Sequence, residues 1–487
     1  MRTTILGRVA IAATLAITSV AAISSVTASP PASAANPTAE PSRQAAYRWI
    51  EAELAANGGR MPSSFDPTGP DWGLTLDSVI ALTLGGRGTQ TGATTAMGLF
   101  EPKIGDYITG EAFGDAGSLY VGALGKSMYT AHLQAKNINA FGGRDLEALS
   151  RGAIKMTGPD IGRFSDLSGF GDFSNGFGQA FNVMALARTP GGVPQNALAF
   201  LLAQQCPGGG FRLTYAPSGG CMSDSQATSD ITGLSLTALS ALPKAAVVDA
   251  AIAKASAWLV SVQDPSGGFS SSGPALNSNS TGLAGEGLRR VGFADAANRA
   301  ASFIASVQFD LADVASTPAS AEVGAIAANS GSFATALASG VALNQRDQLR
   351  RSTAQAVLAI GPTFAGVQPA RVLDTRVGAS TVDGQQVGSG RVAAGSKIVV
   401  QVSGRGGVPV GAAAAVLNLT AVGGSGAGFV TAYPCDAAVP TASSVNFVDG
   451  VAAPNAVVMK LSATGTVCLS VFQESVDLIV DVTGYLV

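Results

Sequence analysis

The chain has 487 residues, of which 47% are hydrophobic and only 13% are charged, and its formal net charge is −3. This composition is too apolar and too weakly charged for an intrinsically disordered protein. Because the sequence contains no basic patch, it also argues against a nucleic-acid partner.

The first segment, residues 1–34, is predicted to be a secretory signal peptide. Arg2 and Arg8 supply the positive charge, an apolar run extends from Val9 to about Ala22, and an Ala-Ser-Ala cleavage site ends at Ala34. These three features in this order are typical of exported proteins.

A linker rich in Pro, Ala and Ser is predicted for residues 35–43. Earlier cleavage, after Ala28, and retention of the apolar run as an anchor are alternatives, although the run is shorter than a membrane-spanning helix requires. No later segment has about 20 uninterrupted apolar residues, so we expect no membrane span after signal removal.

Residues 44–362 are predicted to be helical, because apolar residues recur at helical spacing and Gly-rich turns interrupt them. Two segments, Ala199–Phe211 and Ala257–Phe269, are near-duplicates offset by 58 residues. Each contains the end of an amphipathic helix, a Gln, a Gly-rich turn and an aromatic residue. A repeat of this length indicates one helical hairpin per unit.

A second kind of helix, apolar and rich in small residues, alternates with the amphipathic helices. Its six members are Leu76–Leu82, a weaker segment at Ser118–Leu124, Gln179–Leu186, Asp230–Leu239, Ser280–Gly285 and Ser352–Leu358. A helix that is apolar on most sides must be buried. Six pairs of helices are therefore expected to close into a ring with an inner and an outer layer.

The pattern Leu-x-x-x-Gln, followed after a short spacer by Gly-Gly-Phe, resembles the repeat of the prenyltransferase, squalene cyclase and terpenoid cyclase toroids. It is clearest at Phe200–Phe211 and Trp258–Phe269 and fainter at Phe303–Gln308. The resemblance covers roughly residues 44–362 and implies an α/α toroid of about six helical hairpins. It leaves the activity open, since cyclases, zinc prenyltransferases, thioester domains and cobalamin carriers share this fold.

Residues 366–487 change to alternating runs rich in Val and Thr, separated by Gly and Pro, and this pattern predicts an all-β sandwich. Stretches such as Pro369–Arg376, Gly428–Cys435 and Asp481–Tyr485 resemble a β-domain appended to secreted actinobacterial hydrolases and surface proteins. The resemblance implies a cell-surface accessory module. We therefore expect a multidomain α plus β protein that is secreted or extracellular and associated with the cell wall.

The four cysteines form two local pairs, Cys206 with Cys221 and Cys435 with Cys468. In an exported protein such pairs indicate disulfides, and closing the first loop would contribute roughly 3 kcal/mol. Metal binding is the alternative, but neither pair has CxxC spacing, and the single histidine, His132, lies elsewhere. We expect neither a metal nor a cofactor.

Three of the chemistries known on such toroids lack their motifs here. A class II cyclase needs Asp-x-Asp-Asp, whereas Asp224 and Asp230 are six residues apart, and aromatics for carbocation stabilisation make up only 6% of the chain. A zinc prenyltransferase needs Asp, Cys and His ligands, and a thioester protein needs a Gly-Cys-Gly-Glu-Gln motif. A fourth chemistry, polysaccharide hydrolysis or lysis, needs two carboxylates across a cleft.

Acidic residues on the predicted inner helices are weak catalytic candidates for this fourth chemistry. They are Asp77, Asp230 and Glu286. The structural alternatives are that the two aspartates are N-caps and that the glutamate faces solvent. The predicted ligand-binding set in the central funnel is Asp77, Phe177, Gln179, Asp230 and Thr281.

Two other clusters have both a functional and a structural interpretation. Phenylalanines between Phe164 and Phe181, interleaved with glycines, either line a pocket or pack in the core. Arg371, Asp374 and Arg376 in the β-domain either bind a ligand or form a structural Asp–Arg bridge.

The first functional hypothesis is a non-catalytic toroid that binds a small molecule or a cell-envelope glycan in its funnel, the ligand being lipid-like, cobalamin-like or glycan. The second is a secreted enzyme that uses funnel carboxylates, either a glycan hydrolase or lyase or a terpenoid-cyclase-like enzyme. It requires two unpaired carboxylates about 5–10 Å apart. The third is a structural surface spacer or adhesin, which requires a funnel filled by Leu, Met and Phe side chains.

Overall fold

A computed structural model describes residues 42–66, 68–271, 273–361, 364–408, 412–462 and 464–486. The predicted signal peptide and all but the end of the predicted linker lie outside these ranges. The described chain divides into two compact units. Residues 42–84 and 90–361 form the helical unit, and residues 85–89 with 364–486 form the β unit.

The described part of the helical unit contains fifteen α-helices, numbered here in chain order. They are α1 Ser42–Ala56, α2 Trp72–Leu84, α3 Thr91–Phe100, α4 Gly105–Ile108, α5 Val121–Leu133, α6 Leu146–Gly152, α7 Gly176–Leu186, α8 Gln195–Ala203, α9 Ser229–Ser240, α10 Ala246–Val262, α11 Ser278–Arg290, α12 Ala294–Ser306, α13 Leu311–Val314, α14 Ser330–Ser339 and α15 Leu343–Ala356. Short 3-10 helices cover Glu101–Lys103, Glu111–Phe113, Asp224–Gln226, Ser320–Glu322 and Val357–Ala359. No helix of the described residues is long and apolar enough to cross a membrane.

Six helices contact one another in a cyclic order: α2, α5, α7, α9, α11, α15 and back to α2. Four of the six predicted apolar segments lie wholly within these helices, whereas Ser118–Leu124 starts before α5 and Ser352–Leu358 continues beyond α15. Small residues allow their backbones to touch, since a Cβ at Gly233 would collide with the carbonyl oxygen of Leu283, and one at Gly287 with that of Gly233. We call these the inner helices.

Each inner helix is accompanied by a further helix. Contacts join α1 to α2 and α15, α3 to α2, α6 to α5, α8 to α7, α10 to α9, and α12 to α11. In α12, buried residues recur at helical spacing, as in Ala296, Ala297, Ala300 and Ile304, because only one side of it packs against the inner layer. We call these the outer helices.

The near-duplicate segments build the same turn, which fastens each unit to the next. Gln205 donates through Nε2 to the carbonyl of Gly209 in its own turn and to that of Ala251 in the next outer helix, both at 2.9 Å. Gln263 makes the equivalent two bonds one unit later. Gly209 has φ 114° and packs against the backbone of Lys254, so glycine is required there.

The same turn returns near the end of the helical unit and packs on its first helix. Gln308 donates through Nε2 to the carbonyl of Gly324 at 3.0 Å. Gly324 has φ 96°, and a Cβ there would collide with the carbonyl oxygen of Ala45 in α1. The Gly-rich turn thus contributes to closing the cycle.

A buried network of charges joins α1 to α15. Glu53 is 2.5 Å from Arg346 and 2.6 Å from Arg350, and Glu322 is 2.6 Å from Arg346. Trp49 donates through Nε1 to Glu322 at 3.0 Å. Both glutamates are almost fully buried, so their charges depend on these partners.

Both predicted disulfides are present. Cys206 pairs with Cys221 in the connection between α8 and α9, and Cys435 pairs with Cys468 in the β unit, with Cα–Cα distances of 4.7 and 4.9 Å. The pairing inferred from proximity in the sequence is confirmed.

The β unit consists of two four-stranded antiparallel sheets. Its strands are β1 Phe364–Asp374, β2 Lys397–Gln401, β3 Ala414–Val422, β4 Gly428–Pro434, β5 Val445–Phe447, β6 Ala453–Lys460, β7 Thr466–Phe472 and β8 Asp477–Leu486. The strand orders are β1-β8-β3-β6 and β2-β7-β4-β5. Alternate residues of both sheets enter one hydrophobic core, as the alternating sequence predicts.

The Arg-Asp-Arg cluster of the β unit is an internal bridge. Asp374 is fully buried, 3.0 Å from Arg371 and 2.8 Å from Arg376, and Arg371 also contacts Asp481 at 2.8 Å. Burial acts to raise the pKa of Asp374, but the bonds from Arg376 and the two positive charges outweigh it, and the pKa lies below its usual value.

Candidate functional site

The inner helices enclose a cavity with an empty volume of about 570 Å³, which includes solvent at its open side. Much of that volume is solvent at the open side, so the enclosed space is far smaller than the roughly 300–1,000 Å³ of common small-molecule sites. The cavity is therefore narrow. Its lining residues are Asp77, Ile80, Leu84, Lys126, Tyr129, Phe177, Phe181, Met184, Leu234, Thr237, Leu283, Glu286, Ala354, Gln355 and Leu358.

The lining side chains come from equivalent positions of the inner helices. In α2, α5, α7, α9 and α11 they include the sixth and ninth residues, which lie on one face because they are three apart. The first ring, nearer the helix N-termini, is Asp77, Lys126, Phe181, Leu234, Leu283 and Gln355. The second ring is Ile80, Tyr129, Met184, Thr237, Glu286 and Leu358.

The first ring has a polar side made by three consecutive inner helices. The Nζ of Lys126 lies 2.7 Å from Oδ1 of Asp77, and Gln355 donates through Nε2 to the other oxygen, Oδ2, at 3.3 Å. Lys126 also donates to the carbonyl of Gly73 at 3.4 Å. The remaining three members of the ring are apolar, so the ring has one polar and one apolar half.

Lys126 carries its charge in this setting. Its side chain is only 4% exposed, and burial acts to lower its pKa, but Asp77 and the partly buried Tyr107 raise it above the ordinary value. Burial raises the pKa of Tyr107 itself to about 12, with Lys126 opposing. Lys126 thus keeps its positive charge at neutral pH and lies in ion-pair contact with the carboxylate of Asp77.

The second ring has its own ion pair. Glu286 lies 2.7 Å from Arg290, which is one helical turn further along α11. Burial raises the pKa of Tyr129, while the nearby Arg290 and Arg188 act to lower it. Two arginines therefore lie near the phenol ring at this level of the cavity.

Cations and aromatic rings alternate along the wall between α5 and α7. The guanidinium of Arg188 stacks 4.8 Å from the ring centre of Tyr129, which lies 6.0 Å from the ring of Phe181. The ammonium of Lys126 is 5.6 Å from the centre of the same Phe181 ring. One face of each ring is thus occupied by a cation of the protein.

Asp77, Phe177 and Glu286 of the predicted site residues line the cavity. The interpretation of Asp77 as an N-cap is wrong, because α2 begins at Trp72 and the preceding Asp71 accepts the backbone N–H of Leu74 at 2.8 Å. The interpretation of Glu286 as solvent-facing is wrong as well, since its side chain is 16% exposed and belongs to the second ring.

Gln179 does not line the cavity and acts as a clasp between helices instead. Its Oε1 accepts from the backbone of Phe164 at 3.1 Å. Its Nε2 donates to the carbonyls of Gly162 at 3.2 Å and Ala197 at 3.0 Å. This amide is on α7 and makes the same kind of double bond that Gln205 makes from the end of α8.

Asp230 and Thr281 are buried but also lie outside the cavity lining. Asp230 is the second residue of α9 and accepts the backbone N–H of Ile231 at 3.0 Å, and burial raises its pKa. Thr281 accepts the N–H of Phe269 at 2.9 Å and donates to the carbonyl of Asn277. All their bonds go to neighbouring protein groups, so both residues stabilise helix starts.

The glycine- and phenylalanine-rich loop ahead of α7 is held by a carboxylate. Asp166 accepts the backbone N–H of Val121, the first residue of α5, at 2.8 Å, and that of Phe173 at 3.2 Å. Phe164 is buried in the core, while Phe173 is 46% exposed. The aromatic cluster is thus divided between core, cavity and surface.

Lys126, Tyr129, Gln355 and Arg188 were not predicted as site residues. A lysine in the buried helix Val121–Leu133, which contains no other Lys, Arg, Asp or Glu, is the signal that identifies the first of them. Alignment of α2, α5, α7, α9 and α11 by their sixth and ninth residues identifies Tyr129, whereas Gln355 is the thirteenth residue of α15 and this alignment does not find it. No group of three or more His, Cys, Asp or Glu suited to a metal occurs in the described ranges.

The chain was compared with known families, curated proteins and solved structures. No family model matches it, and no curated protein matches it. Twenty-four chains of solved structures show detectable similarity. One, described as the crystal structure of a protein from Actinoplanes, has a TM-score of 0.43 and 15% identity, covering 65% of this chain and 98% of that one. Similarity at this level carries no argument about function.

Proposed function

We propose that the helical unit is an α/α toroid whose central cavity binds a small ligand without transforming it, and that the β unit is a sandwich-type accessory module of an exported protein. The observation that carries this proposal is that both carboxylates in the cavity are paired with cations, within a lining that is otherwise mainly apolar.

The toroid interpretation is supported by the cyclic order of the inner helices and by the outer helix beside each of them. The repeated glutamine clasp supports it as well, since the turn at Gln308 packs against α1, the first helix of the unit. A closed ring has no exposed ends to cap, unlike an open solenoid.

The pairing of the carboxylates argues against glycoside hydrolysis. That reaction needs one carboxyl to donate a proton and the other to attack or to activate water. Asp77 is bound to Lys126 and Gln355, and Glu286 to Arg290. Neither has the unpaired state that the hydrolytic hypothesis requires.

The alternating cations and aromatic rings along the wall between α5 and α7 argue against cyclase-like chemistry. A cyclase uses aromatic faces to stabilise carbocations of the substrate. In this cavity Tyr129 and Phe181 each direct a face to a cation of the protein, Arg188 and Lys126. The negative potential of these ring faces is therefore already directed at the protein's own cations, and less of it remains to stabilise a carbocation.

A structural spacer or adhesin is the second candidate, favoured by the narrowness of the cavity and its Leu, Met and Phe lining. Native mass spectrometry on the secreted full chain separates the two functions. A bound small molecule that is released on denaturation is the expected result. A protein that is empty after mild purification, and that takes up no lipid or glycan offered to it, would contradict binding and favour the spacer.

A pair of leucine variants locates the ligand. Leu234→Trp fills the apolar side of the first ring and should abolish the bound mass. Leu343→Trp changes a leucine that is 89% exposed and should leave it unchanged. Retention of the ligand by the Leu234 variant would place it outside the cavity.

A further inference from the structure

Strand β6 forms one edge of the sheet β1-β8-β3-β6. In an antiparallel sheet the backbone groups of such a strand point alternately to its neighbour and to the free edge. Leu461, just after β6, donates its N–H to the carbonyl of Ala413 at 3.0 Å, so the odd-numbered residues of β6 bond to β3. Pro454 is even-numbered, and its missing N–H therefore lies at the free edge, where a strand tolerates proline.

The backbone groups at this free edge have no partner among the described residues. They are the N–H and C=O groups of Ala456, Val458 and Lys460 and the carbonyl of Pro454. The side chains of these residues are exposed, that of Val458 at 64%. Free donors and acceptors beside an exposed apolar side chain form a template for another strand.

The other edges of the two sheets are covered or short. Gln386 covers the edge of β2, because its Nε2 donates to the carbonyl of Val399 at 2.7 Å and its Oε1 accepts the N–H of Gln401 at 3.0 Å. At the edge of β1, Val382 donates its N–H to the carbonyl of Arg371 at 2.9 Å. β5 has only three residues. Within the described β unit, β6 is thus the long edge that the chain leaves uncovered.

We propose that the free edge of β6 pairs with the β6 of a second copy of this chain, antiparallel about a two-fold axis at Val457. A two-fold axis brings identical edges together, and an antiparallel pair of identical edges is complementary to itself. The two four-stranded sheets then form one continuous sheet. This inference concerns the β unit and does not rest on the ligand proposed for the helical unit.

The axis at Val457 uses the whole free edge. Ala456 of each copy then lies opposite Val458 of the other, and Pro454 lies opposite Lys460. Each Ala456–Val458 pair exchanges two hydrogen bonds and each Pro454–Lys460 pair one, which gives about six main-chain bonds. The two lysines lie at opposite ends of the paired strands, about 20 Å apart, so their charges do not oppose the pairing.

The size of this interface predicts a weak dimer. One strand from each copy is fewer than the roughly 20–30 residues per side of a stable interface. The inner side of β6 adds some apolar contact, since Val457 and Met459 are only partly buried against the core. We therefore expect a reversible dimer whose population rises with protein concentration.

Sedimentation velocity of the full chain over a series of concentrations tests the pairing. The wild type should shift reversibly from monomer to dimer. Ala456→Lys with Val458→Lys places lysines directly opposite each other across the axis and should weaken the dimer. Ala456→Glu with Val458→Lys places opposite charges there instead, and it should dimerise roughly tenfold more tightly than the two-lysine variant.

A second pair of exposed valines in the β unit provides the matched control. Val377 and Val382 are 88% and 55% exposed and lie outside β6. Val377→Lys with Val382→Lys adds the same charge as the two-lysine variant of β6 and should leave the dimer unchanged. Thermal unfolding confirms that all three double variants are folded, since each changes only exposed side chains.

Amide hydrogen exchange locates the interface. The N–H groups of Ala456, Val458 and Lys460 should exchange more slowly at high protein concentration, because pairing protects them. A chain that stays monomeric at every concentration, or a dimer without this protection, would overturn the proposal. It would also fail if the two double variants of β6 dimerised equally well, because the charges would then not face each other across the axis.

Discussion

Inside the cavity, Asp77 and Lys126 are each stable only because the other is present. Two buried charges lose their hydration, and their mutual attraction compensates for that loss only while both remain. The side chains are 13% and 4% exposed, and the distance between them is 2.7 Å. Polar and apolar halves can therefore coexist in one narrow cavity, because the polar side chains form an ion pair and a hydrogen bond with one another.

The variant Asp77→Asn should lower the free energy of unfolding by about 3–5 kcal/mol, because Lys126 would remain buried without a counter-ion. The pKa of Lys126 should fall as well, since burial would then act with little opposition. Urea denaturation measures the first effect. The double variant Asp77→Leu with Lys126→Met should recover most of the stability, and a stable single variant would contradict the buried pair.

Asp166 makes the stability of the helical unit depend on pH. Burial, helped by the charge of Asp172 and opposed by backbone hydrogen bonds and Arg163, raises its pKa from 3.8 to about 6. A carboxyl whose pKa is higher in the folded state stabilises the fold most below pH 4 and loses that contribution as pH rises through 6. The pH range of this loss is set by the ordinary pKa of 3.8 and the folded-state pKa of about 6.

The free energy of unfolding of the wild-type protein should fall by on the order of 2–3 kcal/mol as pH rises from about 4 to 7 because of Asp166. The variant Asp166→Asn should not show this fall. Denaturation curves of both proteins across this range give the difference. Asp115→Asn is the control with the opposite sign, because bonds from Ser168 and Gly169 outweigh burial and lower the pKa of Asp115. If the difference in unfolding free energy between the wild type and Asp166→Asn does not change with pH, the raised pKa of Asp166 is contradicted.

At the scale of elements, the glutamine clasp fixes the distance between successive units. Gln263 donates to the carbonyls of Gly267 and Ala296 and accepts from Arg299. The amide can do this because it carries donors and an acceptor on one planar group. One side chain thereby joins a turn, the next outer helix and a surface arginine.

Gln263→Ala should lower the free energy of unfolding by roughly 1–3 kcal/mol, because two carbonyl oxygens lose their donor. Gln263→Glu should cost at least as much, since a carboxylate cannot donate to a carbonyl. Chemical denaturation checks both variants. Gln195→Ala, at an exposed position of α8, should have little effect, and equal losses in the two alanine variants would argue against the clasp.

The sequence predicted the elements better than the side of each helix that faces the cavity. Repeats and small-residue runs identified all six inner helices, and the alternation after residue 366 matched strands such as Ala414–Val422. A helix that is apolar all round carries no amphipathic signal for its orientation. Gln179 was therefore assigned to the cavity, although it faces a neighbouring helix turn.

The error at Asp77 has a different physical origin. The apolar run suggested a helix that starts near Leu76, which would put Asp77 in the first turn. The helix instead begins at Trp72, because Asp71 caps it through the N–H of Leu74. Gly73 disfavours a helix intrinsically, and burial of Trp72 and Leu74 overrides that preference.

At the scale of the whole helical unit, the cavity is lined by both the first and the last of the inner helices. The inner helices α2 and α15 contribute adjacent parts of the polar side, Asp77 and Gln355. Their contact is reinforced by the bonds from Arg346 and Arg350 to Glu53 in α1, across 293 and 297 residues of chain. The proposed ligand binding and the proposed closure of the ring would therefore depend on the same long-range contacts.

The variant Glu53→Gln tests this dependence, because it leaves Arg346 with only Glu322 and Arg350 without its carboxylate. Breaking such a buried network should lower the free energy of unfolding by about 3–5 kcal/mol. Hydrogen exchange should accelerate first in α1 and α15, since these helices lose the bonds that close the ring.

An exposed ion pair provides the matched control for Glu53. Glu101 lies 2.9 Å from Lys136 at the surface, and Glu101→Gln should change stability by less than about 1 kcal/mol. If the two variants unfold alike, the buried network does not hold the ring closed. Glu53→Gln could also destabilise the protein while hydrogen exchange rises evenly over all helices. In that case the contact between α1 and α15 breaks only when the whole unit unfolds, and the cavity cannot open at that contact alone.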